Sequence, residues 1–92
     1  MCTYQTERIA LEGSGKGGDG WFALTDAVVS FDHPVHCPTD HALLIDFLNL
    51  SQGAGARVAV ELDAGSARAL AESILASLDS VPADLLAGEG TA

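Results

Sequence analysis

The sequence predicts an α+β domain, in which a four-stranded antiparallel meander sheet is followed by one C-terminal helix packed on one face. Two observations lead to this prediction. In four stretches, apolar residues alternate with other residues or recur at the spacing of a β-strand. In the segment after the fourth stretch, apolar residues recur at the spacing of an α-helix. The connections between the stretches are short, so consecutive strands are expected to pair as neighbours and the helix to cover the sheet.

Each strand is placed by residue type and alternation. The first is rich in Thr and Tyr and alternates around Ile9 and Leu11. The glycine-rich stretch 13–20 after it is expected to be a flexible connection. The predicted strands are Thr3–Glu12, Trp21–Asp32, residues 42–50 and Arg57–Leu62.

The helix is predicted to begin after Asp63, which is a good N-cap, and to end before Pro82. Its apolar residues recur at helical spacing, at Ala67, Leu70, Ala71, Ile74, Leu75 and Leu78. Residues 1–80 are therefore expected to form a single ββββα domain. Residues 81–92 contain two glycines and are expected to form a flexible tail.

Composition and charge narrow the classes of partner. The chain has 92 residues, enough for one domain, and its 48% hydrophobic content against 18% charged residues favours a folded core. The formal net charge of −9 repels phosphate backbones and anionic lipid headgroups. Nucleic acid and membranes are therefore expected to be poor partners.

The sheet face opposite the helix predicts a homodimer. Tyr4, Val28, Leu44 and Leu48 are expected on this face, which makes it too apolar to lie comfortably in water. Only 5% of the residues are aromatic, so the core consists of aliphatic side chains. Small cores of this kind often complete their burial by pairing, and we expect a face-to-face dimer.

The cysteine content and hydropathy favour a cytoplasmic protein. Two cysteines are too few for a disulfide framework. The sequence shows neither a basic leader nor an apolar run near 18 residues.

All three histidines and one of the two cysteines lie in residues 33–42. Antiparallel pairing of the first two strands would place Cys2 beside His33, at the edge of the sheet from which this segment extends. Imidazole nitrogen and thiolate are the ligands that zinc prefers. The sequence thus predicts a site for zinc or another divalent transition metal, formed by Cys2, His33, His36 and His41.

Several functions are compatible with this site. Three histidines and an open position would activate water or polarise a carbonyl, as in a metal-dependent enzyme that acts on a small molecule. The alternative is a non-catalytic dimeric accessory or binding module whose histidine loop is structural. A third interpretation is a metal-free enzyme with His33 or His41 as a base. The sequence identifies no catalytic residue and does not decide whether the protein is an enzyme.

Three residues close to the predicted metal ligands are considered for supporting roles. Asp32 and Asp40 are candidates for fixing a histidine tautomer, with exposed turn positions as the competing interpretation. Cys37 is expected to be a partly buried thiol rather than a nucleophile.

Several motifs resemble a small family of actinobacterial proteins without an assigned function. They are the opening Met1-Cys2-Thr3-Tyr4-Gln5-Thr6-Glu7, the triplet Gly20-Trp21-Phe22, the stretch Phe31-Asp32-His33-Pro34-Val35-His36 and the run Asp46-Phe47-Leu48-Asn49. The resemblance covers about residues 1 to 78. It implies a bacterial, intracellular protein and supplies no reaction.

Overall fold

The structure is a computed structural model that describes residues 6–86. Its elements follow the predicted order and confirm the α+β meander. They are β1 (Thr6–Gly17), β2 (Gly20–Asp32), β3 (Ala42–Leu48), a 3-10 helix (Leu50–Gln52), β4 (Arg57–Leu62), α1 (Ala64–Asp79) and the short α2 (Ala83–Leu86). The bounds of β4 agree with the prediction. Part of the segment expected to be a tail, residues 83–86, is helical.

The four strands form one antiparallel sheet in the order β1-β2-β3-β4. Asp32 pairs with Ala42 at one edge, and Leu43 pairs with Leu62, so the segment 33–41 and the end of β4 meet at that edge. This edge is the one that the predicted topology assigns to the histidines. The topology therefore places the histidine segment beside β4.

The glycine-rich stretch is part of the sheet rather than a flexible connection. β1 continues to Gly17, which pairs with Gly20 across a tight turn. A β-bulge between Ala10 and Gly13 shifts the register, so that two residues of β1 oppose one residue of β2. The glycines leave space for bulky neighbours, because a Cβ atom at Gly15 would lie 3.2 Å from Leu24 Cδ2.

The sheet has two faces of different character. The helix face carries the apolar side chains that lie opposite α1, namely Val29, Phe31, Leu43, Ile45 and Leu62. The outer face is the other side of the sheet. It carries two ion pairs, Arg8 Nε with Asp26 Oδ2 at 3.2 Å and Arg57 Nη2 with Asp46 Oδ1 at 2.7 Å.

These ion pairs lie on the sheet face through which the sequence predicts a face-to-face dimer. Val28, Leu44 and Leu48 lie on the outer face and are half-buried. Tyr4 lies outside the described residues. Two ion pairs lie among the apolar side chains of the outer face. This face is therefore more polar than the alternation of residues along the strands suggests.

Helix α1 begins where the sequence predicts. Asp63 is the N-cap, and its Oδ1 accepts a hydrogen bond of 2.7 Å from the backbone N–H of Ser66. This carboxylate binds one of the amide groups at the helix N-terminus, where an anion would otherwise be favoured. Ser80 closes the helix, two residues before Pro82.

The helix lies over the sheet without filling the space beneath it. An open groove of about 620 Å³ separates α1 from the helix face. No residue of α1 is buried, and four of its apolar side chains are roughly half exposed: Leu70, Ile74, Leu75 and Leu78. The predicted covering of the sheet by the helix is thus incomplete in a single chain.

The fully enclosed core is small. Within residues 6–86 the buried residues are Ala27, Ala42, Ala56 and Asn49. Asn49 connects β2 to the 3-10 helix, because its Nδ2 donates to the carbonyl of Ala23 at 2.9 Å while its Oδ1 accepts from the backbone N–H of Ser51 at 3.0 Å. No helix among the described residues is long and apolar enough to cross a membrane.

Candidate functional site

The histidine loop comprises residues 33–41 and connects β2 to β3 at the edge where β4 ends. Its first histidine is held by the strand that precedes it, since the backbone N–H of His33 donates to Asp32 Oδ1 at 2.7 Å. Its last residues are held by Thr39, whose hydroxyl donates to the carbonyl of His41 at 2.8 Å. The loop therefore has defined anchors at both ends.

The centre of the loop is fixed by a carboxylate from β4. Glu61 accepts three hydrogen bonds from consecutive backbone N–H groups. Its Oε2 accepts from Val35 at 2.6 Å, and its Oε1 accepts from His36 at 2.9 Å and from Cys37 at 2.8 Å. Successive N–H groups of this kind form a nest that binds anions. Here the chain's own carboxylate fills the nest.

These bonds change the acidity of Glu61. Hydrogen bonds from the backbone N–H groups of Val35, Cys37 and His36 stabilise the carboxylate and hold the pKa of Glu61 below its ordinary value. Desolvation acts against these hydrogen bonds and raises the pKa, and the charge of His36 is a smaller effect that lowers it. Glu61 is therefore ionised at neutral pH, and its carboxylate is the anion bound by the N–H groups of the loop.

Two of the three histidines stack on each other. The ring centroids of His33 and His41 are 4.6 Å apart, with an angle of 30° between the ring planes. His41 also stacks on Phe31, at 5.8 Å and 14°. Because Phe31 lines the groove beneath α1, this aromatic stack lies next to that groove.

The tautomer of neutral His33 follows from its partner. His33 Nδ1 lies 2.8 Å from the carbonyl oxygen of Asp40. A carbonyl oxygen only accepts, so Nδ1 carries the proton and Nε2 carries the lone pair. The backbone carbonyl of Asp40 thus fixes this tautomer, whereas the role suggested for the Asp40 side chain stays a prediction.

The third histidine belongs to a different surface. His36 lines a shallow hollow of about 680 Å³ with Cys37, Arg57 and Glu61. Cys37 is partly buried there, which agrees with the expected packed thiol, and its Sγ lies 3.7 Å from Thr39 Oγ1. The loop thus presents His33 and His41 beside the groove, and His36 in this hollow.

The predicted ligand set of Cys2, His33, His36 and His41 is only partly described. Cys2 lies outside residues 6–86, so its position relative to His33 stays a prediction. The structure brings His33 and His41 together. Among the described residues, no group of three or more His, Cys, Asp or Glu side chains is arranged to hold a metal ion.

The residue that sequence reasoning missed is Glu61. It lies in the alternating run of β4, where it reads as an ordinary solvent-facing position. One signal for it exists, because the predicted meander places the end of β4 at the edge that carries the histidine loop. A carboxylate at that edge faces a proline-interrupted loop whose N–H groups need acceptors.

Neither the curated proteins nor the solved structures contain a match to this chain. A family model matches residues 1–87, and this match agrees with the resemblance seen in the sequence motifs. The chain belongs to that family, which is described as a family of unknown function (DUF6295).

Proposed function

We propose that this protein is a non-catalytic binding module that works as a homodimer, and that its histidine loop is a structural connection. The observation that carries this proposal is the contact between Glu61 and the three N–H groups of Val35, His36 and Cys37. An anion-binding or catalytic loop keeps such donors for its substrate. In this loop they are used to hold the fold.

The histidines support the same proposal. Nδ1 of His33 is bonded to the Asp40 carbonyl, and its ring stacks on His41, which in turn stacks on Phe31. Side chains in such a stack orient each other. The loop therefore has a structural explanation for two of its histidines and for its central backbone.

Metal analysis tests this proposal directly. The full chain, purified without a histidine tag, is measured for metal content and for its melting temperature with added zinc and with a chelator. We expect no stoichiometric metal and unchanged melting. One metal ion per chain, or a clear stabilisation by zinc, would overturn the structural role of the loop.

The second candidate function is that of a small zinc-binding protein, with a metal-dependent activity on a small molecule. The observation that favours it is the Nδ1–H of His33 bonded to a backbone carbonyl, an arrangement typical of metal-ligating histidines. Cys2, His33, His36 and His41 would hold the ion. Bound zinc supplies an acidified water or a polarised carbonyl.

Paired substitutions separate the two candidates. His36→Ala and His33→Ala should both lower metal content if the four residues form one site. If the loop is structural, both variants lack metal as the wild-type chain does. His33→Ala then lowers the melting temperature more than His36→Ala, because only His33 belongs to the stack.

We place the module in the cytoplasm, on the basis of its cysteine content and hydropathy. With a net charge of −9, we propose that it binds neither nucleic acid nor anionic membranes. The apolar groove beneath α1 is the surface most suited to a partner or a small-molecule ligand.

A further inference from the structure

Helix α1 and the groove beneath it form an uncovered apolar surface. The groove is lined from the sheet by the helix face and from the helix by Leu70, Ile74 and Leu75. These three side chains are 45%, 52% and 61% exposed. Exposed apolar patches of this kind mark interaction sites in soluble proteins.

We propose that the occupant of this groove is α1 of a second copy of the same chain, docked reciprocally across a twofold axis. The inference rests on the proposed homodimeric module and assigns its interface. It places the contact on the helix side, rather than on the outer face that the sequence suggested.

The shape of the surface suits a second copy. A protruding helix and an adjacent groove occur side by side on one face, and a twofold axis can seat each helix in the groove of the other copy. A helix of 16 residues is about 24 Å long and about 10 Å wide. Two such helices docked reciprocally bury roughly 1,000 Å² in total, which reaches the lower bound for a specific interface.

The charges on the rim are also complementary under this symmetry. Arg68 and Glu72 stand one helical turn apart on α1, and both line the groove. Within residues 6–86 Arg8 and Arg57 form ion pairs, whereas no ion pair of Arg68 occurs. In an antiparallel helix pair centred near Leu70, Arg68 of each copy faces Glu72 of the other.

A different occupant fits less well. The rim carries one basic and one acidic side chain, so it favours neither a strongly basic nor a strongly acidic partner. The small enclosed core, with three alanines as its buried apolar residues within the described range, shows that one copy leaves its large side chains partly covered. A second copy supplies the missing cover and keeps the polar outer face in water.

The first test is the oligomeric state of the full chain at micromolar concentration, measured by light scattering and sedimentation. We expect a dimer that Ile74→Lys dissociates at least tenfold more readily. The control is Leu50→Lys, which introduces the same charge at a side chain of similar exposure, 55% against 52%, away from the groove. Lysine lowers the net negative charge, so dissociation could not result from added repulsion.

The second test fixes the register by mixing two charge variants. Arg68→Glu alone and Glu72→Arg alone each place like charges across the proposed interface, and both should weaken the dimer. Mixed together, the two variants should form a heterodimer in preference to either homodimer, because both contacts are then between opposite charges. Contacts within one chain cannot produce this preference.

Three outcomes would overturn the inference: a monomeric wild-type chain, a dimer insensitive to Ile74→Lys, or a mixture without preferred heterodimers. A monomer that carries a bound small molecule in native mass spectrometry would assign the groove to an apolar ligand instead. None of these measurements depends on metal content, so a failure here is distinguishable from a failure of the structural role of the loop.

Discussion

At the scale of single residues, Glu61 explains how a loop with two prolines and three histidines is held against β4. The loop residues that it binds lie 24 to 26 positions away in the sequence. Register brings them together, because Glu61 pairs with Leu44 on β3 while the loop enters the same strand at Ala42. One carboxylate thus replaces the strand partners that the loop backbone lacks.

Replacing this carboxylate should loosen the loop. In Glu61→Gln one acceptor oxygen becomes an NH₂ donor, so at least one of the three N–H groups loses its partner. We expect a lower melting temperature and at least about tenfold faster hydrogen exchange at the amides of Val35, His36 and Cys37. The matched control is Glu12→Gln at an exposed position of β1. Equal behaviour of the two variants would contradict the role of Glu61.

The same residue predicts a pH dependence. Because the pKa of Glu61 lies below its ordinary value of 4.5 in the folded chain, the unfolded chain binds this proton more readily. The stabilising contribution is complete above pH 4.5 and is lost as the pH falls through the lower folded pKa. Urea unfolding between neutral and acidic pH should show the wild-type advantage over Glu61→Gln shrinking below pH 4.5. Asp26 and Asp63 also have lowered pKa values, but they are common to both proteins and cancel in the difference. A constant difference across this range would argue against the effect.

At the scale of elements, the sequence predicts most strands and the helix start, because their signals are local. Arg57–Leu62 shows clean alternation, and Asp63 is a strong N-cap; both were predicted from these patterns. The glycine-rich end of β1 was predicted to be a flexible connection, because glycine has low strand propensity. Pairing with Phe22 and Leu24 overrides that propensity, and the missing side chains at Gly15 and Gly17 make the pairing possible.

The candidate site shows which features cannot be predicted from the sequence. Sequence topology correctly brings the histidine loop and the end of β4 to one edge, since antiparallel pairing fixes which ends meet. It does not reveal which side chain bonds the loop, or that His33 and His41 stack while His36 faces a different hollow. These details depend on backbone conformations within the loop, which alternation and spacing do not encode.

The turn between β3 and β4 provides a prediction at this scale. Gly53 closes the 3-10 helix with a φ angle of +84°, a conformation that side chains with a Cβ atom rarely adopt. Gly53→Ala should therefore destabilise the fold by about 1–3 kcal/mol. For Gly55→Ala, in the same turn but without a positive φ angle, the change should be small. Chemical denaturation of both variants checks this, and an equal loss of stability would show that the conformation of Gly53 is not the cause.

At the scale of the whole molecule, an acidic surface and an uncovered apolar helix act in opposite directions. Burial of Leu70, Ile74 and Leu75 favours association, whereas a net charge of −9 on each copy opposes it. The charge is distributed over the molecule, while Leu70, Ile74 and Leu75 lie together beside the groove. The balance between the two therefore depends on ionic strength.

This balance gives the dimer a characteristic response to salt. The molecule is about 21 Å thick along its shortest axis, so the charges of two stacked copies lie about that distance apart. The screening length falls from about 30 Å at 0.01 M salt to about 10 Å at 0.1 M, so repulsion acts across the dimer only at low salt. We expect the dissociation constant to fall at least about tenfold over this range, measured by sedimentation.

Salt also weakens the proposed ion pairs at the rim, between Arg68 of one copy and Glu72 of the other. There are only two such pairs, and they cannot offset the repulsion between two whole copies. Potassium chloride and sodium chloride should act alike, because screening depends on ionic strength. A dissociation constant that rises with salt would show that specific ion pairs, rather than the apolar helix face, hold the copies together.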